Sequence, residues 1–271
     1  MTGQSVGVTL REQEATVPAP SLTVTRTAPP SSTRRRRTSL ALAMGFTVAA
    51  AAAAFTVLGS IGALSGSSIP GLPDPGAFVN SALPATRVLL DVLGTLTVGY
   101  CLAAAFLLPG VDRTVGAAGY RLLRRAGWLA LAWAVTAFTL SVFTVANFLG
   151  RPVGALSPEM VWSFLTTVAL GRAYGLQVLL ALVLFAGCRF ALSRTLAAVL
   201  AILALITALP PAFTGHAAGA GNHQIAVTSM ALHVAGAVLW LGGLAAVWAV
   251  RNAPGVAGGP PVLVTAAGRY S

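Results

Sequence analysis

The three histidines of this chain, His216, His223 and His233, fall close together near its end. Imidazole is the commonest side-chain ligand for metals and suits copper, zinc, iron and nickel. Met230 lies three residues before His233, so a helix would place its thioether on the same face as that imidazole. Because thioether sulfur favours Cu(I), these residue types predict a copper site formed by the three histidines and Met230.

The sequence offers little to other metals or to catalysis. It contains no cysteine pair at zinc spacing and no HExxH motif. Hard cations need several carboxylates, and the predicted outer loops contain only Asp74 and Glu159. The nucleotide-binding pattern GxxxxGK[ST] is missing, and the chain has no lysine. We therefore expect a binding or transport protein, driven by gradients or by exchange, and not an enzyme.

The composition places these residues in a membrane protein. Of 271 residues, 56% are hydrophobic and 8% are charged, whereas a soluble domain carries about 25% charged residues. The net charge of +11 comes from 17 arginines against 6 acidic residues. The arginines lie between apolar runs, so they are expected to orient the chain in a lipid bilayer and not to bind nucleic acid.

The apolar runs predict an all-α, polytopic bundle. A spanning helix needs about 20 mostly apolar residues, and about six such runs occur, at 40–63, 85–108, 126–149, 168–187, 192–211 and 225–250. Residues 1–37 are rich in Ser, Thr and Pro and predict a disordered cytoplasmic tail. Residues 38–80 predict the first span and an outer loop, and residues 81–271 the main transmembrane domain.

The positions of the arginines predict the orientation. With the N-terminus in the cytoplasm, most arginines fall in cytoplasmic segments, as the positive-inside rule requires; these are Arg34, Arg35, Arg36, Arg37, Arg113, Arg121, Arg124, Arg125, Arg189, Arg194, Arg251 and Arg269. Only Arg87, Arg151 and Arg172 fall on or near the outer side. The loop that carries His216 and His223 is then extracytoplasmic.

The sixth predicted span contains a stripe of residues that would adjoin the metal site. Gly236, Trp240 and Gly243 continue the helix face of Met230 and His233. Glycines let a neighbouring helix approach closely in a membrane. We therefore expect Gly236 and Gly243 to pack against another helix, with Trp240 as a packing residue between them.

Charged residues inside the predicted spans are a second feature of interest. Asp91 is the only acidic residue within a span, and Arg87 precedes it by four residues, a spacing that permits an ion pair. Arg172 lies near the outer end of the fourth span. We expect Asp91 to pair with Arg87 or Arg172 for structural reasons. A role in an ion path is the alternative, since intramembrane charges are usually functional.

Two further local patterns are informative. The run from Ser157 to Met160 is typical of a helix start, with Ser as N-cap, Pro in the first turn and Glu near the positive helix end. That helix is either a short interfacial one or an outer extension of the fourth span. Cys101 and Cys188 are expected to be small buried hydrophobic residues, and a disulfide is disfavoured because both lie toward the reducing cytoplasmic side.

The segment TGHAAGAGNHQIAVTSMALHVAGAVLWLGGLAAV resembles the copper resistance D (CopD) family of bacterial membrane proteins. The resemblance rests on the Gly-His pair that ends at His216, on His233, and on the WLGGL turn that begins at Trp240. The segment TTVALGRAYGLQVLLAL, with Arg172 at the outer start of a span, is similar to that family too. The resemblance covers roughly residues 81–271.

Membership of that family implies copper uptake or tolerance across the plasma membrane. The tail and extra first helix resemble actinobacterial versions, in which a CopD-like half is fused to a cytochrome c oxidase assembly (CtaG) half. Those proteins continue beyond the position of Ser271, so the end at Ser271 is either natural or the start of a missing span. An extracytoplasmic copper carrier or an oxidase assembly partner is then expected beside the lipid bilayer.

Two rival functions stay open at this point. One alternative is an assembly factor that passes copper to cytochrome c oxidase without moving it across the membrane. It is less plausibly a b-type membrane cytochrome, because haem needs axial ligands inside the membrane and only His233 is clearly placed there. Copper therefore remains the expected metal, with its oxidation state open.

Single-cysteine labelling checks the predicted orientation. In a background with Cys101→Ala and Cys188→Ala, a cysteine introduced by Ala218→Cys should react with a membrane-impermeant maleimide in intact cells. One introduced by Ala117→Cys should react only after permeabilisation, because the 111–126 segment is predicted to be cytoplasmic. The reverse pattern would overturn the orientation and with it the extracytoplasmic location of the histidines.

Overall fold

The computed structural model of the chain describes residues 2–3, 74–110, 113–210, 223–251 and 262–270, apart from the side chains of residues 223, 224 and 226. These residues form helices and no strand. The helices are α1 (Ala77–Leu102), α2 (Ala117–Leu149), α3 (Pro158–Thr167), α4 (Ala169–Phe190), α5 (Arg194–Ala208), α6 (His223–Val250) and α7 (Val262–Tyr270). A π-helical turn, Ala103–Leu107, continues α1, and a 3₁₀ turn, Val153–Ala155, precedes α3. The tail and first span predicted for residues 1–63 lie outside the described residues, apart from residues 2–3.

Four stretches are long and apolar enough to cross a membrane; they are Ala77–Leu107, Ala117–Leu149, Ala169–Phe190 and Val227–Val250. They correspond to the predicted second, third, fourth and sixth spans, which confirms an all-helical membrane protein for the described part of the chain. The predicted fifth span corresponds to α5, which has only 15 residues. That length is about 22 Å, shorter than the roughly 30 Å hydrocarbon core of a bilayer. The total of six spans and the cytoplasmic N-terminus stay predictions.

α1 begins eight residues before the start expected from the sequence, at Ala77 and not at residue 85. The carboxylate of Asp74 accepts hydrogen bonds from the Gly76 backbone amide, at 2.9 Å, and from the Asn80 side-chain amide, at 3.1 Å. Those bonds anchor the chain as it enters the helix. Pro84 lies inside α1, and such prolines are tolerated in membrane helices because neighbouring groups satisfy the backbone that they free.

α2 also begins earlier than expected, at Ala117, so it absorbs most of the segment predicted as a loop at 111–126. Three arginines, Arg121, Arg124 and Arg125, therefore lie on its first turns. Cations are unfavourable beside the positive end of a helix dipole. Their presence there is consistent with a role in orienting the chain at a membrane surface, where their long side chains reach the lipid headgroups.

The predicted helix start at Ser157 is confirmed. The Ser157 hydroxyl accepts a hydrogen bond from the Met160 amide at 3.4 Å, Pro158 occupies the first turn, and Glu159 follows it. The Glu159 backbone amide and the Ser157 hydroxyl lower the pKa of the exposed Glu159 carboxyl. α3 is a separate short helix, because Val168 adopts an extended conformation between it and α4.

Two arginines assigned above to membrane orientation also complete the end of α1. A π-helical turn leaves carbonyls out of the regular α-helical bonding pattern. Arg194 donates from Nε to the Ala105 carbonyl, at 3.2 Å, and from Nη2 to the Leu108 carbonyl, at 3.3 Å. Arg269 donates from Nη1 to the Phe106 and Leu108 carbonyls, at 3.4 and 3.3 Å. These bonds attach α5 and α7 to the end of α1.

α1 is the central helix of the described bundle, since it packs against α2, α5 and α6. Its contact with α2 places the Trp133 ring directly over Gly94. Its contact with α6 is a backbone crossing, in which a Cβ on Gly99 would overlap the Gly242 carbonyl. Beyond the crossing, Ala103 and Leu107 share a buried cluster with Ala246 and Val250 of α6. α1 and α6 therefore run in the same direction.

The crossing predicts opposite outcomes for two glycines of α6. Gly242→Ala should destabilise the bundle by about 1–3 kcal/mol, because the new methyl group has no space beside Gly99 and Thr95. Gly236→Ala should leave stability unchanged or slightly raised, since no described atom lies within 4 Å of a Cβ there and alanine favours helix. Thermal unfolding of both variants in one detergent checks this. Equal melting temperatures would contradict the crossing.

Candidate functional site

The helix face predicted to bind metal is present on α6 and is exposed. Met230 is 45% exposed, and His233, one turn further along, is exposed as well. Both belong to a helix of membrane-crossing length, so their side chains are held on a rigid element. The described part of the chain therefore offers one imidazole and one thioether on an accessible face of a spanning helix.

The other two histidines stand in different relations to this face. His216 lies outside the described residues. His223 is the first residue of α6, ten positions before His233, which separates the two along the helix axis by about 15 Å. A metal ion bound to two imidazoles lies about 2.1 Å from each ligand nitrogen. One ion therefore does not join His223 to His233 while the start of α6 stays helical.

The residues that follow His233 on this face of α6 differ in their surroundings, since Gly236 faces open space in the described structure and Gly243 contacts α7. Gly236 has no described atom within 4 Å of its would-be Cβ, so its predicted packing role stays a prediction. Gly243 does meet a neighbour, because the Tyr270 ring lies against it. The Tyr270 hydroxyl donates to the Trp240 carbonyl at 2.5 Å, while the Trp240 side chain is 64% exposed. Gly242 was not predicted to be a packing residue, although a Cβ there would lie 2.5 Å from the Thr95 carbonyl of α1.

The charged residues of α1 lie at the depth of the candidate metal ligands. Because Gly99 faces Gly242 and the helices are parallel, His233 is level with residues 90 and 91 of α1. Arg87 is within electrostatic range of the Asp91 carboxylate. Arg172 is exposed near the start of α4. Of the two cations proposed for Asp91, Arg87, one turn earlier on the same helix, is the one whose charge acts on that carboxylate, and the predicted ion pair itself stays a prediction.

A layer of buried polar side chains lies at the same level and was missed from the sequence. The Tyr174 hydroxyl lies close to Thr144 and Arg87. Gln177 is 1% exposed, and its amide donates to the Thr207 carbonyl of α5 at 3.1 Å. Its Oε1 has no hydrogen-bond partner in the described structure. The available signal was the presence of Gln and Tyr within an otherwise apolar span, since buried polar groups are costly unless paired.

Residues 77–225, more than half of the chain, match the family described as "Copper resistance protein D-like, N-terminal domain". The chain belongs to this copper resistance D-like family. The match begins at the first residue of α1 and ends in the first turn of α6. A search of curated proteins gave no match, and neither did a search of solved structures.

The family match bears unequally on the candidate ligands. It includes the positions of His216 and His223 but stops before Met230 and His233. Within the residues that the structure describes, no three His, Cys, Asp or Glu side chains are grouped as a metal site would require. A histidine site in this copper resistance D-like chain therefore needs His216, which lies outside the described residues, or a ligand supplied from elsewhere, in addition to α6.

A double-mutant cycle checks the partner of Asp91. Asp91→Leu and Arg87→Leu should be non-additive by about 0.5 kcal/mol or more in unfolding free energy, because removing either leaves the other charge unbalanced at membrane depth. Asp91→Leu combined with Arg172→Leu serves as the matched control and should be additive within about 0.5 kcal/mol. Coupling to Arg172 and not to Arg87 would show that Asp91 pairs across helices.

Proposed function

We propose that this protein binds copper at the extracytoplasmic face of the plasma membrane and moves it across the bilayer, in copper uptake or tolerance. The observation that carries the proposal is the family assignment together with the position of His233. The His233 imidazole is a group that commonly binds metals, and it lies on a helix of membrane-crossing length with Met230 on the adjoining turn. Polar side chains at such depth are rare and usually functional.

The geometry of α6 supports capture in two steps. The separation of about 15 Å between His223 and His233 makes successive binding more favourable than a single shared site. In our proposal His216 and His223 first take up the ion at the outer surface. His233 and Met230 then hold it deeper, where imidazole and thioether together favour Cu(I). Copper is the cargo in this scheme, and no bond other than the metal–ligand bonds forms or breaks.

The surroundings of His233 fit passage better than permanent storage. A storage site encloses its ion with a full set of ligands, whereas α6 presents Met230 and His233 on an exposed face. A transported ion must be bound firmly enough to enter and loosely enough to leave. Few ligands on an open helix face meet that requirement. We accordingly assign the chain a transport role and no catalytic one.

Copper binding by histidine variants tests the proposal. His233→Ala should lower copper affinity at least tenfold, about 1.4 kcal/mol, since it removes the ligand held on the rigid helix. His216→Ala should weaken binding less, and His223→Ala should mainly slow capture. Ser229→Ala is the control, because that exposed residue adjoins Met230 and offers a metal little. The measurement is copper content and affinity of the purified full chain by competition with a chelator.

The outcomes separate the rival functions. Unchanged copper affinity in His233→Ala would refute the site. An assembly role would replace transport if the wild-type protein binds copper but a deletion strain keeps normal cytoplasmic copper. That strain would also have reduced cytochrome c oxidase activity. A Soret band in the absorption spectrum of the purified protein would indicate bound haem and favour the b-type cytochrome over a copper protein.

A further inference from the structure

The two cysteines of the chain meet inside the bundle. Cys101 and Cys188 are 87 positions apart in sequence, yet their Sγ atoms lie 3.9 Å apart. Both side chains are fully buried, with no exposed surface. Cys101 lies on the last turn of α1, and Cys188 lies on the last turn of α4. Both cysteines were predicted to be small buried residues without a disulfide, and their contact was not predicted.

The fold brings the thiols together through α2. This helix packs against both α1 and α4, and Gly127 of α2 faces Cys188. A Cβ on Gly127 would lie 3.2 Å from the Cys188 Cβ, so the absence of a side chain there lets α4 come close. The π-helical turn begins two residues after Cys101. Such turns occur frequently at functional sites, where they widen the helix locally.

We propose that Cys101 and Cys188 form a Cu(I) site within the membrane domain, distinct from the histidines. Thiolate is a soft ligand that selects Cu(I). Structural zinc requires four ligands, whereas no third His, Cys, Asp or Glu joins the pair among the described residues. Two sulfur ligands hold Cu(I) in a nearly linear arrangement, so the sulfurs, now 3.9 Å apart, would have to separate slightly to hold one ion between them.

The position of the pair relates it to the proposed route. Gly99 faces Gly242 across the parallel helices α1 and α6. Cys101 lies two residues beyond that crossing, and His233 lies nine residues before it. The thiol pair is therefore about 16 Å further along the bundle than His233. The inference rests on the proposed function in that copper must first enter the bundle. It adds a second, softer binding position on the way to the opposite membrane face.

The binding step is balanced without an oxidant or a reductant. Cu(I) enters as the monovalent ion, and each thiol that becomes a thiolate ligand releases one proton. One deprotonated and one protonated thiol give a neutral complex, which an apolar core accommodates at lower cost than a charged one. Binding should therefore release at least one proton per ion and leave the copper oxidation state unchanged.

The test uses the full chain, purified in detergent without oxygen and titrated with Cu(I) against a competing chelator. The wild type should show a copper–sulfur shell in X-ray absorption, with two short sulfur contacts. Cys101→Ala and Cys188→Ala should each abolish that two-sulfur shell and lower the Cu(I) affinity of this site at least tenfold. Thr97→Ala is the matched control, because Thr97 is equally buried one turn away on α1 and its hydroxyl donates to the Leu93 carbonyl and not to a thiol. Cys188→Ser replaces the alanine variant if that variant does not fold.

Three results would overturn the inference, and one separates it from the proposed function. A shell with two short copper–sulfur contacts that persists in both cysteine variants would overturn it, whereas the Met230 thioether supplies at most one sulfur. So would Zn(II) binding that competes equally for the pair, or a mass two units low under anaerobic purification, which indicates a disulfide. In His233→Ala the two-sulfur shell should persist at saturating Cu(I). Copper affinity that is unchanged in His233→Ala, together with a two-sulfur shell that the cysteine variants remove, would refute the proposed entry site and leave the thiol site standing.

Discussion

The crossing of α1 and α6 at Gly99 and Gly242 is the contact on which the arrangement of the candidate sites depends. Lipid tails are as apolar as leucine, so membrane helices are not held together by the hydrophobic effect that folds soluble proteins. Close packing of small residues replaces it, and the two glycines bring the backbones into direct contact. This contact sets the register of α6 on α1. The level of His233 relative to Asp91, and its distance along the bundle from Cys101, follow from that register.

Arg194 and Arg269 have a structural role in addition to the orienting role predicted for them. Both lie in segments that the positive-inside rule predicts to be cytoplasmic, and both donate hydrogen bonds to carbonyls around the π-helical turn of α1. An unpaired carbonyl at that depth costs several kcal/mol. The guanidinium group suits the task because it presents five donors in a fixed plane. The widened turn beside Cys101 is therefore stabilised by residues from α5 and α7.

Sequence patterns predicted the elements better than the contacts between them. Apolar runs revealed the four membrane-length helices, and Ser157 revealed the start of α3, because composition and capping are local properties. The starts of α1 and α2 were placed too late, since Pro84 and the arginines near Arg121 resemble loop residues in a soluble protein. The Cys101–Cys188 contact and the Gln177–Thr207 bond were beyond prediction, because each depends on helix register that no local pattern encodes.

The order of ligands along the bundle indicates what kind of transport the chain would support. The proposed ligands His233 and Met230 offer imidazole and thioether, which bind metal as neutral groups, so an ion held there would keep its charge and remain able to leave. The thiols of Cys101 and Cys188 bind Cu(I) by losing protons, which makes that step depend on proton exchange as well as on copper. A carrier with both kinds of site would exchange protons for copper at the thiols and bind copper without proton exchange at the imidazole and thioether. The polar layer around Tyr174 and Gln177, which is level with His233, would offer such protons hydrogen-bonding partners in an otherwise apolar interior.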